Sequence, residues 1–236
     1  MASDSVKRVY EWQKAKVNSG HNYHGTPAIA PSLNELEQLE AIANQFGLPF
    51  EWLANLINFE SAGTFNPAVQ NASTKATGLI QFMPSTARGL GTSVDTLSKM
   101  SFQQQLPYVN QYLKNGLRKK LDANGKVPDS FNQTDLFMVI FYPVAVGNPN
   151  YAFPSKVVNA NGGIRTPMDY TKKALKNPPF PDFPYTLSEA KKKTKSNVTN
   201  TSVKGNFFGK WYFLVATTIL FGTLMALSIY KVNKNN

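Results

Sequence analysis

N-F-E-S-A-G-T-F-N-P-A-V-Q-N-A-S-T-K-A-T-G-L-I-Q-F-M-P-S-T-A, Asn58 to Ala87, falls into three parts. Its first residues close an apolar helical pattern that starts upstream with Phe50, Leu53, Leu56 and Ile57. Glu60 stands four residues past Leu56 and three past Ile57, so it shares their inward face. Residues 61–77 are rich in Ala, Gly, Asn, Ser and Thr and read as a loop. A tight G-L-I-Q-F-M-P turn follows, and Pro84 opens a short helix in which Ala87 and Leu90 pack before Gly89 and Gly91 end it. A carboxylate on an apolar stripe, at a helix end that opens onto a loop, is partly desolvated, which raises its pKa. The bland alternative is a glutamate that turns to solvent as its helix frays, and position alone does not choose between them.

Upstream, Ser32 with Glu35 forms a capping box, and Leu33, Leu36, Leu39, Ile42, Ala43 and Phe46 continue a helix that Gly47 stops. Pro49 restarts the helix that ends at Glu60; Glu51, in its first turn, suits the helix dipole. Residues 3–17 predict a short basic helix with Val6, Val9, Tyr10 and Val17 on one side. His21 and His24 follow in H-N-Y-H-G-T-P and read as exposed loop histidines without a third metal ligand.

Downstream, Ser101 with Gln104 starts a helix carrying Phe102, Leu106, Val109, Tyr112, Leu113 and Leu117, in which Pro107 should bring a kink or move the start. D-A-N-G, residues 122–125, lacks the later ligands of a calcium loop and reads as a turn. Asn132 caps a nearly all-apolar helix through Leu136, Phe137, Val139, Ile140 and Phe141, which should stop near Tyr142 because Pro143 follows. Eight of the fifteen prolines lie between Pro143 and Pro184, which predicts loops around one short helix near Met168 to Leu175.

The bulk numbers narrow the partners. The 236 residues contain no cysteine, so neither a disulfide framework nor a Cys-ligated metal site is available. The net charge of +11 is uneven: residues 1–190 hold 17 Lys and Arg against 14 Asp and Glu, and residues 191–236 hold 8 Lys and no acid. The basic character thus belongs to the tail, which argues against nucleic acid as the partner. Thr186 to Asn206 is Lys, Ser, Thr and Asn with few apolar residues, a solvated linker. Trp211 to Tyr230 is then uncharged, and its 20 residues at about 1.5 Å each match a bilayer core of about 30 Å. Trp211, Tyr212 and Tyr230 at its ends, with Lys210 and Lys231 outside them, fit a membrane span.

Glu60-Ser61-Ala62-Gly63, followed at this distance by Gly78, Leu79, Gln81, Met83, Pro84, Thr86 and Ala87, resembles the soluble lytic transglycosylase family, which shares a fold with goose-type lysozyme. The resemblance covers about residues 31–145, with Ile80 in the usual Met place. Tyr142 in F-Y-P, 141–143, matches the family's Ala-Tyr-Asn, with Pro143 replacing the Asn. It implies a mainly α, lysozyme-like helical domain (31–185) after an N-terminal extension (1–30); composition adds a basic flexible linker (186–209), one C-terminal transmembrane helix (210–231) and a short tail (232–236). It also implies an enzyme of peptidoglycan that needs no cofactor and no metal. Glu60 is the expected catalytic acid; Ser61, Gly78, Gln81, Met83 and Tyr142 are the expected substrate-binding or Glu-positioning residues. Such an enzyme protonates the oxygen between N-acetylmuramic acid and N-acetylglucosamine and closes a 1,6-anhydro ring with the sugar's own C6 hydroxyl. That explains the missing carboxylate pair of ordinary glycosidases. Asp95 and Asp135 stand as candidate second acids for a hydrolytic, lysozyme-type alternative. A glycan-binding protein without catalysis is the remaining alternative.

Location follows from the tail. Met1 to Gly20 has no apolar signal region, and six lysines lie between Lys191 and Lys210 against two after Tyr230. The positive-inside rule then puts the catalytic part in the cytoplasm, away from cell-wall substrate. A phage virion with an internal membrane, where other virion proteins would be its partners, resolves this by carrying the enzyme to the wall at entry. The rival expectation is a bacterial inner-membrane protein facing the periplasm.

Overall fold

The computed structural model describes residues 1–182 and 185–192. Residues 193–209 of the expected linker and the apolar run at 211–230 lie outside the described residues; the start of that linker is corrected, because Thr186 bridges to Asn132 and Leu187 and Ala190 are buried in a helical turn, so the folded part runs past 185. Within them, no helix is long and apolar enough to cross a membrane. Residues 1–193 form one compact unit whose regular structure, among the described residues, is helical apart from one short hairpin.

Helix α3 (Phe50–Glu60) is the axis of that unit. Phe50 and the seven residues from Trp52 to Asn58 are all buried, so this helix has no solvent face along most of its length. A helix with apolar residues on every side requires neighbours all round. It has them: α1 (Asp4–Asn18), α2 (Leu33–Gln45), α7 (Gln133–Phe141) and α9 (Pro167–Ala174) all pack against it. Between them run a two-stranded hairpin, β1 (Asn22–Tyr23) with β2 (Thr26–Pro27), and three helices, α4 (Pro84–Gly89), α5 (Val94–Ser98) and α6 (Phe102–Leu117). A 3-10 turn (Pro143–Ala145) and α8 (Ser155–Ala160) link α7 to α9.

The caps read from sequence are made. Ser32 Oγ accepts from Glu35 N while the Glu35 carboxylate accepts from Ser32 N, and Ser101 pairs with Gln104 in the same way. Asn132 and Asp135 form a third such box at the start of α7. The D-A-N-G segment is a turn, its Asp122 carboxylate accepting from Asn124 N and Lys126 N.

Several expectations are corrected. Pro107 lies inside α6 and does not move its start; the helix begins after its Ser101 cap and runs on to Leu117. Pro49 is the cap of α3 rather than its first helical residue. The Pro143–Pro184 segment holds α8 and a 3-10 turn besides the expected helix. Residues 1–30 are part of the compact unit: Val6 and Val9 are fully buried against the same core as α2 and α3. Val17, placed on that face by the sequence, is exposed, and Gln13 takes the buried position because it follows Val6 and Val9 at helical spacing. Gly116 explains how α6 lies close to α7, since a Cβ there would meet Val139 Cγ1 at 2.6 Å.

The proline-rich segment now has a packing role. Asn55 on α3 donates through Nδ2 to Phe180 O and accepts from Phe180 N at Oδ1, both at 3.1 Å. One turn later, Asn58 Nδ2 donates to Asn177 O at 3.2 Å. Two buried asparagines thus hold the 177–180 backbone along the central helix, satisfying polar groups that prolines on either side leave without helical partners.

Candidate active site

Glu60 is the last residue of α3, and it sits where the buried helix turns into the following loop. Part of the residue stays accessible, but its carboxyl is deep enough that loss of solvent dominates. Burial pushes the pKa from the ordinary 4.5 up to about 7, against a smaller downward pull from the Tyr170 hydroxyl. That hydroxyl donates to Glu60 Oε1 at 2.8 Å. The Tyr170 ring is held by aromatic neighbours, stacked on Phe141 at 4.3 Å between centroids and edge-on to Phe59 at 5.2 Å. Burial first, then the negative charge of Glu60, drives the Tyr170 pKa well above 10. Tyr112 on α6 is raised by the same two causes in the same order. Two tyrosines that keep their protons therefore surround one carboxyl that titrates near neutrality.

Sequence reasoning did not single out Tyr170. It lies 110 residues from Glu60, in the segment left without a packing role. Its local signal is a buried stripe, Pro167, Tyr170, Thr171 and Ala174 on α9, which marks a core aromatic but not its partner.

The other candidates divide into backbone shapers and surface groups. Ser61 is fully buried; its Oγ donates to Ile57 O at 2.7 Å and accepts from Phe65 N at 3.0 Å. Gly78 is buried at φ +89°, and a Cβ there would overlap the amide of Gln105. Of the two roles the sequence leaves open for Ser61 and Gly78, substrate binding or positioning of Glu60, both residues here hold the backbone beside Glu60 and the Gly78 turn. Gln81, half-buried at φ +52°, folds its amide back to donate to Gly78 O at 3.2 Å and Val69 O at 3.4 Å. Met83 caps α4 with its side chain exposed. Tyr142 ends α7 and packs beside Tyr151 and Phe153, at 5.7 and 5.2 Å between ring centroids.

Gln105 also escaped the sequence reading. Fully buried on α6, it accepts from Leu79 N at 3.0 Å and donates to Pro67 O at 2.9 Å and Leu97 O at 2.7 Å. One amide therefore ties the 67–69 loop, the Gly78 turn and α5. Its signal was phase: Gln105 stands three residues after Phe102 and four before Val109, inside the apolar stripe.

Neither candidate second acid joins Glu60. Asp95 is exposed in the first turn of α5. Asp135 spends its carboxylate on Asn132 N at 3.0 Å and Gly147 N at 2.6 Å, and burial raises its pKa. The influences resolved on the Glu60 carboxyl, among the described residues, are burial and Tyr170. His21 is corrected too: it is half-buried rather than exposed, and its ring Nε2 pairs with Ala62 O at 2.8 Å. Among the described residues no cluster of three or more His, Asp or Glu side chains is arranged to hold a metal.

Residues 37–110 match the family model of the Transglycosylase SLT domain. The matched stretch runs from α2 into α6 and includes Glu60, Ser61, Gly78, Gln81, Met83 and Gln105; Tyr142 and Tyr170 lie beyond it. No curated protein matches the chain, and no solved structure does.

Proposed function

We propose, for a chain whose residues 37–110 carry a transglycosylase SLT domain, that it cuts the β-1,4 bond between N-acetylmuramic acid and N-acetylglucosamine in peptidoglycan. At the family level the domain supports a transglycosylase-type enzyme acting on peptidoglycan. The observation that carries the finer reading is the single Glu60 carboxyl with a pKa near 7, hydrogen-bonded to Tyr170.

A group titrating there serves as both acid and base at neutral pH. Protonated Glu60 gives its proton to the glycosidic oxygen as the bond from muramic acid C1 to that oxygen breaks. The sugar passes through an oxocarbenium-like state, and Glu60 is left as a carboxylate. Tyr170 donates to that carboxylate and steadies its charge. Glu60 then takes the proton of the same sugar's C6 hydroxyl while O6 bonds to C1. This closes the 1,6-anhydro ring and restores the acid. The substrate supplies the nucleophile, so a second carboxylate is not required.

The test is Glu60→Gln on purified peptidoglycan, with the released muropeptides weighed by mass spectrometry. Anhydro ends from the unaltered protein and none from the variant are expected. Ends heavier by one water from the unaltered protein would make the enzyme a lysozyme-type hydrolase. Full activity in Glu60→Gln removes the acid assignment, and absence of cleavage by the unaltered protein favours a glycan-binding role. For location, the reading is a protein anchored through residues 211–230 in a virion's internal membrane, and it rests on the uncharged run and the lysines around it. Finding the chain in purified virions supports that reading; protease accessibility on spheroplasts supports the bacterial inner membrane instead.

A further inference from the structure

Immediately after Glu60 the chain reverses through a turn crowded with left-handed residues. Ala62 has φ +52°, Gly63 +78° and Phe65 +52°. Only one of the three is glycine, and side chains rarely adopt this region unless their surroundings impose it. Part of the imposition is internal: Gly63 N donates to Asn58 O at 2.6 Å and Thr64 N to Ser61 O at 3.1 Å. The rest comes from residues 21–29, which precede the matched SLT stretch. His21 Nε2 pairs with Ala62 O at 2.8 Å, Ile29 N donates to Thr64 O at 2.9 Å, and Asn66 Nδ2 donates to Pro27 O at 2.9 Å.

This contact is stiff at both ends. The β1–β2 hairpin pairs Asn22 with Pro27 and Tyr23 with Thr26, and Ala28 N closes it by donating to His21 O at 2.8 Å. His21 N donates to Lys16 O at 3.0 Å, which ties the hairpin to the last turn of α1. Helix α1 in turn packs on α3 with Val6 and Val9 fully buried. The segment is therefore anchored on the helix that carries Glu60 and grips the turn that leaves it.

We propose that residues 21–29 are a brace that positions Glu60, with His21 as the positioning residue that fixes the Ala62 carbonyl and hence the exit of α3. Ring Nε2–H is the donor and the Ala62 oxygen the acceptor, and His21 itself does not touch substrate. The proposal rests on reading Glu60 as the acid. A reacting group displaced by a fraction of an ångström loses rate without losing substrate affinity.

The test compares His21→Ala and His21→Gln in the full chain in detergent, with Glu60→Gln alongside, on soluble uncrosslinked glycan strands. Glutamine keeps an N–H donor near the Nε2 position. Expected for His21→Ala is a drop in kcat of roughly tenfold with KM and the thermal midpoint near the unaltered protein, and recovery of most of that rate in His21→Gln. Unchanged kcat in His21→Ala, beside an inactive Glu60→Gln, overturns the brace and leaves the acid standing. A rate loss that follows only the folded fraction, with no recovery in His21→Gln, also overturns it. Full activity in Glu60→Gln overturns the acid and the brace together. Should His21→Ala fail to fold, Asn66→Ala cuts another bond of the same brace and is read for the same separation of kcat from KM.

Discussion

Glu60 is costly to the fold in a way that can be measured. Its pKa lies near 7 in the folded chain against 4.5 ordinarily, so between those pH values the folded state holds a proton that the unfolded chain has lost. Stability therefore falls as pH rises from about 4.5 through 7, by an amount approaching about 3 kcal/mol at about 1.4 kcal/mol per unit. Glu60→Gln removes the buried charge, so denaturant titrations should find the variant more stable than the unaltered protein at pH 8 and nearly equal to it at pH 4. A variant less stable at pH 8 would contradict the desolvation reading. Tyr170 acts in the opposite direction, since its hydrogen bond holds the pKa down. Tyr170→Phe should move the alkaline limb of the rate profile to higher pH. It should also lower kcat by roughly ten- to a hundredfold, as expected for a charge-assisted bond of about 1.5–3 kcal/mol. The inward phase of Glu60 was legible because four residues of one helix set it. Its pairing with Tyr170 was not, because no local pattern records which core aromatic meets which helix end across 110 residues.

Elements announced themselves where a short-range rule governs them. The three boxes begun by Ser32, Ser101 and Asn132 sit within four residues each, and all are made. Pro107 does not move the start of α6, because Ser101 caps the helix ahead of it and Phe102, Leu106, Val109 and Leu113 bury a continuous stripe through it. The proline-rich segment was opaque for a related reason: its partners are asparagines on α3, more than a hundred residues away. That placement carries a prediction. Asn55→Ala removes its side-chain bonds to Phe180 N and Phe180 O in a buried setting, at about 1–3 kcal/mol for each bond lost there. Urea unfolding should show a loss of about 2–6 kcal/mol. A loss under about 0.5 kcal/mol would mean that the clamp is replaced by water at little cost.

For the whole molecule, the decisive contrast is between a nearly balanced compact unit and a tail with 8 lysines and no acid. Lysines alone hold a protein to anionic lipid by a force that salt screens. An uncharged run of 20 residues, if it spans the bilayer as proposed, is held by the hydrophobic effect, which salt does not weaken. The two modes separate in one experiment. Full chain bound to vesicles containing anionic lipid should remain bound after a wash at about 1 M salt, where the screening length is about 3 Å. A chain cut after Lys193 retains the compact unit and most of the core aromatics around Glu60, so it should stay in the supernatant and still release muropeptides. Release of the full chain by salt would leave only surface adsorption and remove the membrane span. If the cut chain loses cleavage of soluble glycan strands while keeping its thermal midpoint, the tail contributes to the catalytic site itself and is more than a tether.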